Sequence, residues 1–191
     1  MKITHLTLII VILIFPLPAS LQGQGLTKKE VNLAELVRKP SVEIDKILGK
    51  PKRAGALSKR RELPVATEYP LDQFRLYKMN RLNLAIYFYQ DTPVVFQVGF
   101  HPHEKPESVA TAPSLIGIDI EGRSLTEDQV NPTAYSSPIK QRIQSWEGKI
   151  NQVKCRKIEA WITDMEDYQL IKGKQKTRQV DAVWVVLASP K

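Results

Sequence analysis

The sequence predicts an α+β fold in which short helices pack on antiparallel sheet, arranged as two tandem ααβββ-type units. Three observations predict it. Apolar residues recur at helical spacing between residues 27 and 48, and each stretch ends in a helix stop. From residue 64 the apolar period changes to two. After a proline-rich stretch, helix signals and then strand signals return. These shifts divide the chain into a signal peptide at 1–25, a helix-helix-antiparallel sheet unit at 26–101, a linker at 102–113 and a second α+β unit at 114–191.

The first segment gives an address. Met1-Lys2 leads into Leu6 to Phe15, apolar except for Thr7, and then into Pro16-Leu17-Pro18-Ala19-Ser20 and a polar exit ending at Gly25. A basic start, a short apolar core and a small-residue exit are the layout of a secretory signal. The core is about ten residues, against the ~20 that cross a bilayer as a helix. Pro16 and Pro18 end it, because proline lacks the N–H that a helix needs. An exported protein, periplasmic or extracellular, is expected, cleaved after Ala19, Gly23 or Gly25. No transmembrane helix is expected in the mature chain.

The helices follow from their caps. Thr27-Lys28-Lys29-Glu30 has the spacing of a capping box, and Val31, Leu33, Ala34, Leu36 and Val37 follow it up to Pro40. Ser41 caps a second helix carrying Val42, Ile44, Ile47 and Leu48; Gly49 and Pro51 stop it. Residues 50–63 read as a basic loop. Val65–Tyr69, Phe74–Met79, Leu82–Tyr89 and Val94–Phe100 read as strands, the last three joined by short links into an antiparallel meander. Leu82, Leu84, Ile86 and Phe88 alternate with Asn83, Ala85, Tyr87 and Tyr89, so one face is expected to pack on the helices.

The second unit is read the same way. Leu115–Ile120 is a strand-like run, and Ser124-Leu125-Thr126-Glu127 a capping box for a short helix. Ser137-Pro138 opens a third clear helix with Ile139, Ile143 and Trp146 on one stripe and Gly148 at its end. Ile150–Thr163 is a long strand, Tyr168–Ile171 a short one and Arg178–Ala188 a last one. Lys172 to Lys176 is a basic hairpin tip between them.

Val42 to Pro51, a helix ending in Leu48-Gly49-Lys50-Pro51 ahead of a meander, resembles exported bacterial modules of the helix-helix-sheet type. These include the small lipoprotein of the outer-membrane β-barrel assembly machine and the repeats of β-lactamase-inhibitor proteins. The resemblance covers residues 27–100 and implies binding of another protein through an open sheet face. The chain lacks the lipid-acceptor cysteine of the first and the cysteine pairs of the second, since Cys155 is its single cysteine.

Composition narrows the function. The chain carries 28 basic and 20 acidic side chains, a net +8, or +7 once Lys2 leaves with the signal segment. Basic charge in an exported protein suits an anionic envelope component or an acidic protein face; plain solubility accounts for the same charge. No Gly-x-Ser-x-Gly, phosphate loop or dinucleotide fingerprint appears. Export and the lack of an aromatic-rich module argue against nucleic acid. No cofactor is expected.

Four groups are candidate sites. Arg75, Tyr77, Asn83, Tyr87, Tyr89 and Gln97, with Val95, are expected to project together from the meander. They either form a partner-binding face or lie under the second half of the chain. His101-Pro102-His103-Glu104 places two imidazoles at i and i+2, but zinc takes three or four ligands. His101, His103 and Glu104 are weak metal candidates, and a metal-dependent extracytoplasmic enzyme using His101 and His103 is the alternative function. Asp164-Met165-Glu166-Asp167 lacks the glycine and spacing of a calcium loop. The basic stretches Lys50 to Arg61 and Lys172 to Arg178 read as solvated loops able to meet anions. Cys155, two residues from Val153, is expected as a buried thiol. The leading expectation is an exported soluble non-enzymatic protein that binds a protein or envelope component through a sheet face and basic loops.

Overall fold

Two-residue periodicity governs far more of this chain than its helix caps suggest. The computed structural model describes residues 30–57, 63, 65, 67–101, 105–106, 109, 111–118, 124–130, 140–164 and 178–188. Within them, one eight-stranded antiparallel sheet runs β1-β2-β3-β4-β8-β7-β6-β5. The strands are β1 (Arg53–Ala56), β2 (Gln73–Lys78), β3 (Leu82–Tyr89), β4 (Thr92–Phe100), β5 (Leu125–Val130), β6 (Lys140–Ile150), β7 (Val153–Asp164) and β8 (Arg178–Leu187). The helices are α1 (Ser41–Leu48), α2 (Thr111–Ser114) and a single 3-10 turn at Leu33–Glu35. The fold is therefore mainly β, not α+β, and the expected tandem ααβββ units are absent among the described residues. Antiparallel pairing of β4 with β8, from Val95↔Val186 to Gly99↔Ala182, joins early and late strands in one sheet.

The meander is where sequence and structure agree best. β2, β3 and β4 pair in order, with Tyr77 opposite Leu84 and Ile86 opposite Phe96. Gln90 and Asp91 take φ of 49° and 62°, a two-residue turn that matches strand twist. Asp91 also fixes α1, accepting from the Ser41 N–H at 3.1 Å. The described part of Val65–Tyr69 forms no strand, and the outer strand is instead β1, within the expected basic loop.

The helix expectations fail for identifiable reasons. Asn32, not Thr27, caps the turn at Leu33, accepting from the Ala34 N–H. The Glu30 and Val31 N–H groups donate to the Leu115 carbonyl and that of Leu33 to Ile116. Donors needed to start a longer helix are thus spent on the segment after α2. That segment, Leu115–Gly117, is turn rather than strand. Gly117 sits at φ +75° with an added Cβ only 2.6 Å from Asn32 Oδ1, so glycine is needed there. Residues 27–29 and 137–139, with their caps, lie outside the described residues. The supposed helices at 124–127 and 140–148 are β5 and β6. Ile143 and Trp146, three apart, fall on opposite faces of β6, opposite Trp161 and Ile158 respectively. The long strand expected from Ile150 breaks after one residue, because Asn151 and Gln152 at φ 47° and 64° turn the chain into β7.

The larger core lies between the helical segments and one face of the sheet. It holds Leu33, Leu36, Ile44, Leu82, Leu84, Ile86, Phe88, Phe96, Val98, Leu115, Ile116, Trp146, Ile158 and Val185 among others. Fully burying such a side chain contributes roughly 1.5–3 kcal/mol. Leu82, Leu84, Ile86 and Phe88 do face the helices, as their alternation requires. Cys155 is buried in this core, as expected. The second face carries a smaller cluster of Val65, Ala85, Tyr87, Val94, Val95, Trp184 and Val186, with Leu57, Leu63, Tyr69 and Leu71 packed against it. No helix among the described residues is long and apolar enough to cross a membrane.

Candidate binding face

Parity along the strands divides the six expected partner-binding residues between two faces. Arg75 and Tyr77 point to the helical side. Tyr77 is 2 % exposed, and both serve a network that ties β2 to α1. Arg75 pairs with Asp45 and donates to Ser41 Oγ at 2.9 Å; Tyr77 donates to Asp45 Oδ1 at 2.7 Å. Burial and the hydrogen bond to Asp45 hold the Tyr77 hydroxyl well above the ordinary tyrosine range. These two residues fasten the fold and do not form an open face.

Asn83, Tyr87, Tyr89 and Gln97 share the second face, with Val95. Tyr87 is nevertheless buried at 4 % exposure, and its hydroxyl donates to Gln97 Oε1 at 2.9 Å. Tyr89 stacks on Tyr69, ring centroids 5.5 Å apart, under the segment that covers this end. Asn83 and Gln97 remain half-exposed. The expected single exposed surface is therefore corrected to a partly covered face that retains two of the six residues at its open part.

Pairing of β4 with β8 adds residues that sequence reasoning missed. Across the second face one row reads Asn83, Gly99, Ala182, Trp161, Ile143. The next row reads Ala85, Gln97, Trp184, Glu159, Ser145, Glu127. In the first row two small residues stand between Asn83 and Trp161. An added Cβ at Gly99 would meet nothing within 4 Å. The result is a shallow trough floored by Gly99 and Ala182 between Asn83, Gln97 and Trp161; Trp184, buried at 3 % exposure, backs the Trp161 ring with centroids 5.9 Å apart. The available signal was β8 itself, apolar on both sides from Ala182 to Leu187, the mark of a strand with neighbours on each face.

A buried carboxylate supports one wall. Glu159 is 6 % exposed; it accepts from Trp161 Nε1 at 3.0 Å and pairs with Lys157 Nζ at 2.8 Å. Glu127 pairs with the same ammonium at 2.9 Å. Burial alone would lower the Lys157 pKa, but the hydrogen bonds and charges of Glu159 and Glu127 outweigh it and raise it. Glu159 thus holds the Trp161 ring in place through a charge-assisted bond. Beside it, Ser145 Oγ and Trp184 Nε1 are buried with no hydrogen-bond partner among the described residues.

The remaining candidates contribute less. His101 is half-buried two residues beyond Gly99, and its N–H donates to the Arg81 carbonyl at 3.1 Å. His103 and Glu104 lie outside the described residues, as do 165–167 and the basic tip at 172–176. Among the described residues, no group of three or more His, Cys, Asp or Glu is placed to hold a metal ion. No protein-family model, curated protein or solved structure matches this chain.

Proposed function

We propose that this protein is an exported, non-enzymatic binding module that takes a segment of a partner protein or envelope component into the trough on its second sheet face. The observation that supports this most is the Gly99–Ala182 pair between Asn83 and Trp161. It leaves space between two larger side chains at the open part of this face. Rigid rings beside adaptable amides suit recognition, since tryptophan offers contact area at low entropic cost and Asn and Gln both donate and accept. The one buried carboxylate here, Glu159, is taken up by Lys157 and Trp161, so it serves the wall rather than acid–base chemistry.

The test fills the trough. A photo-crosslinking side chain at Asn83 is expected to give a discrete adduct in the source cell, whereas one at the exposed Glu35 does not. Gly99→Leu is expected to abolish the adduct while leaving the melting temperature within a few degrees, because its Cβ has open space. If that variant unfolds, Trp161→Ala serves instead. Adducts from Asn83 that match those from Glu35, or that survive both substitutions, would sink the reading.

A further inference from the structure

A second surface is independent of the trough. In α1, Ser41 and Ile44 are buried and Leu48 packs against the larger core. The outward arc carries Lys46, with the side chains of Val42 and Ile47 at 58 % and 45 % exposure. Beyond Gly49 the chain passes through Lys50, Pro51 and Lys52 into β1. The Lys52 N–H donates to the Leu76 carbonyl at 2.7 Å, and Arg53 stands opposite Leu76. This places Lys50 and Lys52 beside α1 at the end of β2, while Arg53, opposite Leu76, and Lys78 project from the other face of the sheet.

Lys46, Lys50, Lys52, Arg53 and Lys78 are all exposed. None makes an ion pair with a described residue. The acids of α1 are already committed: Asp45 to Arg75 and Tyr77, Glu43 to Lys39. By contrast Lys105, Arg142, Arg156 and Lys157 elsewhere each have an acid. Lys46, Lys50 and Lys52 therefore stand uncompensated at one corner, next to two apolar side chains in water. A soluble polyanion would use the cations alone. The boundary of an anionic bilayer uses both, phosphates for the cations and acyl chains for the apolar groups. We propose that this corner docks the protein peripherally on an anionic lipid surface, with Val42 and Ile47 entering the headgroup boundary.

The experiment is co-sedimentation of the full chain with phosphatidylcholine vesicles and with vesicles that also contain phosphatidylglycerol. The apolar run at residues 6–15 is common to every sample, so the preference for anionic over neutral vesicles is the readout. A preference that fades with added salt is expected. Lys46→Glu/Lys50→Glu/Lys52→Glu is expected to reduce anionic binding by about 100-fold or more, since each cation near such a surface counts separately. Ile47→Ser is expected to weaken the binding that remains at high salt. Lys46, Lys50 and Lys52 are all exposed, so the triple variant is expected to melt as the wild type does; should it not, Lys50→Glu/Lys52→Glu replaces it. Equal binding to both vesicle types, or undiminished binding by the charge-reversed variant, overturns the proposal. So does displacement by soluble polyphosphate with no effect of Ile47→Ser. Gly99→Leu leaves this readout unchanged, so the outcome is separate from that of the trough.

Discussion

Tyr77 donates its hydroxyl hydrogen to Asp45 Oδ1 across 2.7 Å, and this bond fastens the second strand of the sheet to α1. Arg75 grips the other oxygen of the same carboxylate. One aspartate on a short helix thus answers two residues of one strand, neither of which is near it in sequence.

Removing the phenol oxygen isolates its share. Tyr77→Phe is expected to cost about 1.5 kcal/mol at neutral pH, the value of a hydrogen bond to a charged group. The pH dependence follows from the direction of the shift. The folded state raises the Tyr77 pKa above its ordinary value near 10, so it favours the neutral phenol. That contribution is complete below about pH 10 and is lost as pH rises beyond it. The raised Lys157 pKa acts in the same direction, its contribution complete below the ordinary lysine value of 10.5. Tyr77→Phe keeps the lysine effect and removes the tyrosine effect. Its stability, followed by urea denaturation between neutral and strongly alkaline pH, is expected to fall less steeply than that of the wild type. Parallel curves would show that the bond carries no such linkage.

The turn at Asn151–Gln152 offers a gain. Both residues have positive φ, which suits asparagine but strains glutamine. Gln152→Gly is expected to stabilise the protein by about 0.5–1 kcal/mol, as a denaturation midpoint shifted upward with an unchanged slope. The other hairpin is a poor place for the same change. There Asp91 supplies the oxygen that holds the Ser41 N–H.

Ser145 makes the opposite case from Tyr77. Its hydroxyl is fully buried on β6 and has no hydrogen-bond partner among the described residues. Burying such a group costs free energy that no partner offsets. Ser145→Ala is expected to raise stability by about 1 kcal/mol in thermal or urea denaturation. Trp161→Phe, on the neighbouring strand, is expected to lower it, because it takes the indole N–H from the buried Glu159 carboxylate. Equal effects of the two substitutions would contradict the bonding assigned to this face.

What the sequence disclosed depended on how local the cause was. β3 could be read directly because Leu82, Leu84, Ile86 and Phe88 all reach one core. β1 left no pattern, since all four of its residues are exposed and only backbone pairing holds it. Ile143 and Trp146 fit a helical stripe by spacing, yet cross-strand pairing with β7 spends their backbone groups in a sheet. Arg75 and Tyr77 looked outward because they are polar; Asp45, thirty residues away in the case of Arg75, makes an inward position tolerable. For the candidate site, Asn83 and Gln97 were within reach of periodicity. Trp161 and Trp184 were not, because β8 had first to be placed beside β4.

That placement also sets a timetable. β4 and β7 are far apart in sequence and meet only through β8, so neither sheet half is sealed until β8 arrives. A chain emerging from its N-terminal end exposes Val94 to Phe100 as an unpaired edge throughout the synthesis or passage of everything between β4 and β8. Unpaired apolar edges recruit other chains, and long-range pairings form slowly. The meander and α1 can assemble early, but the finished sheet is a late event. During that interval the nascent chain has the greatest need of an escort.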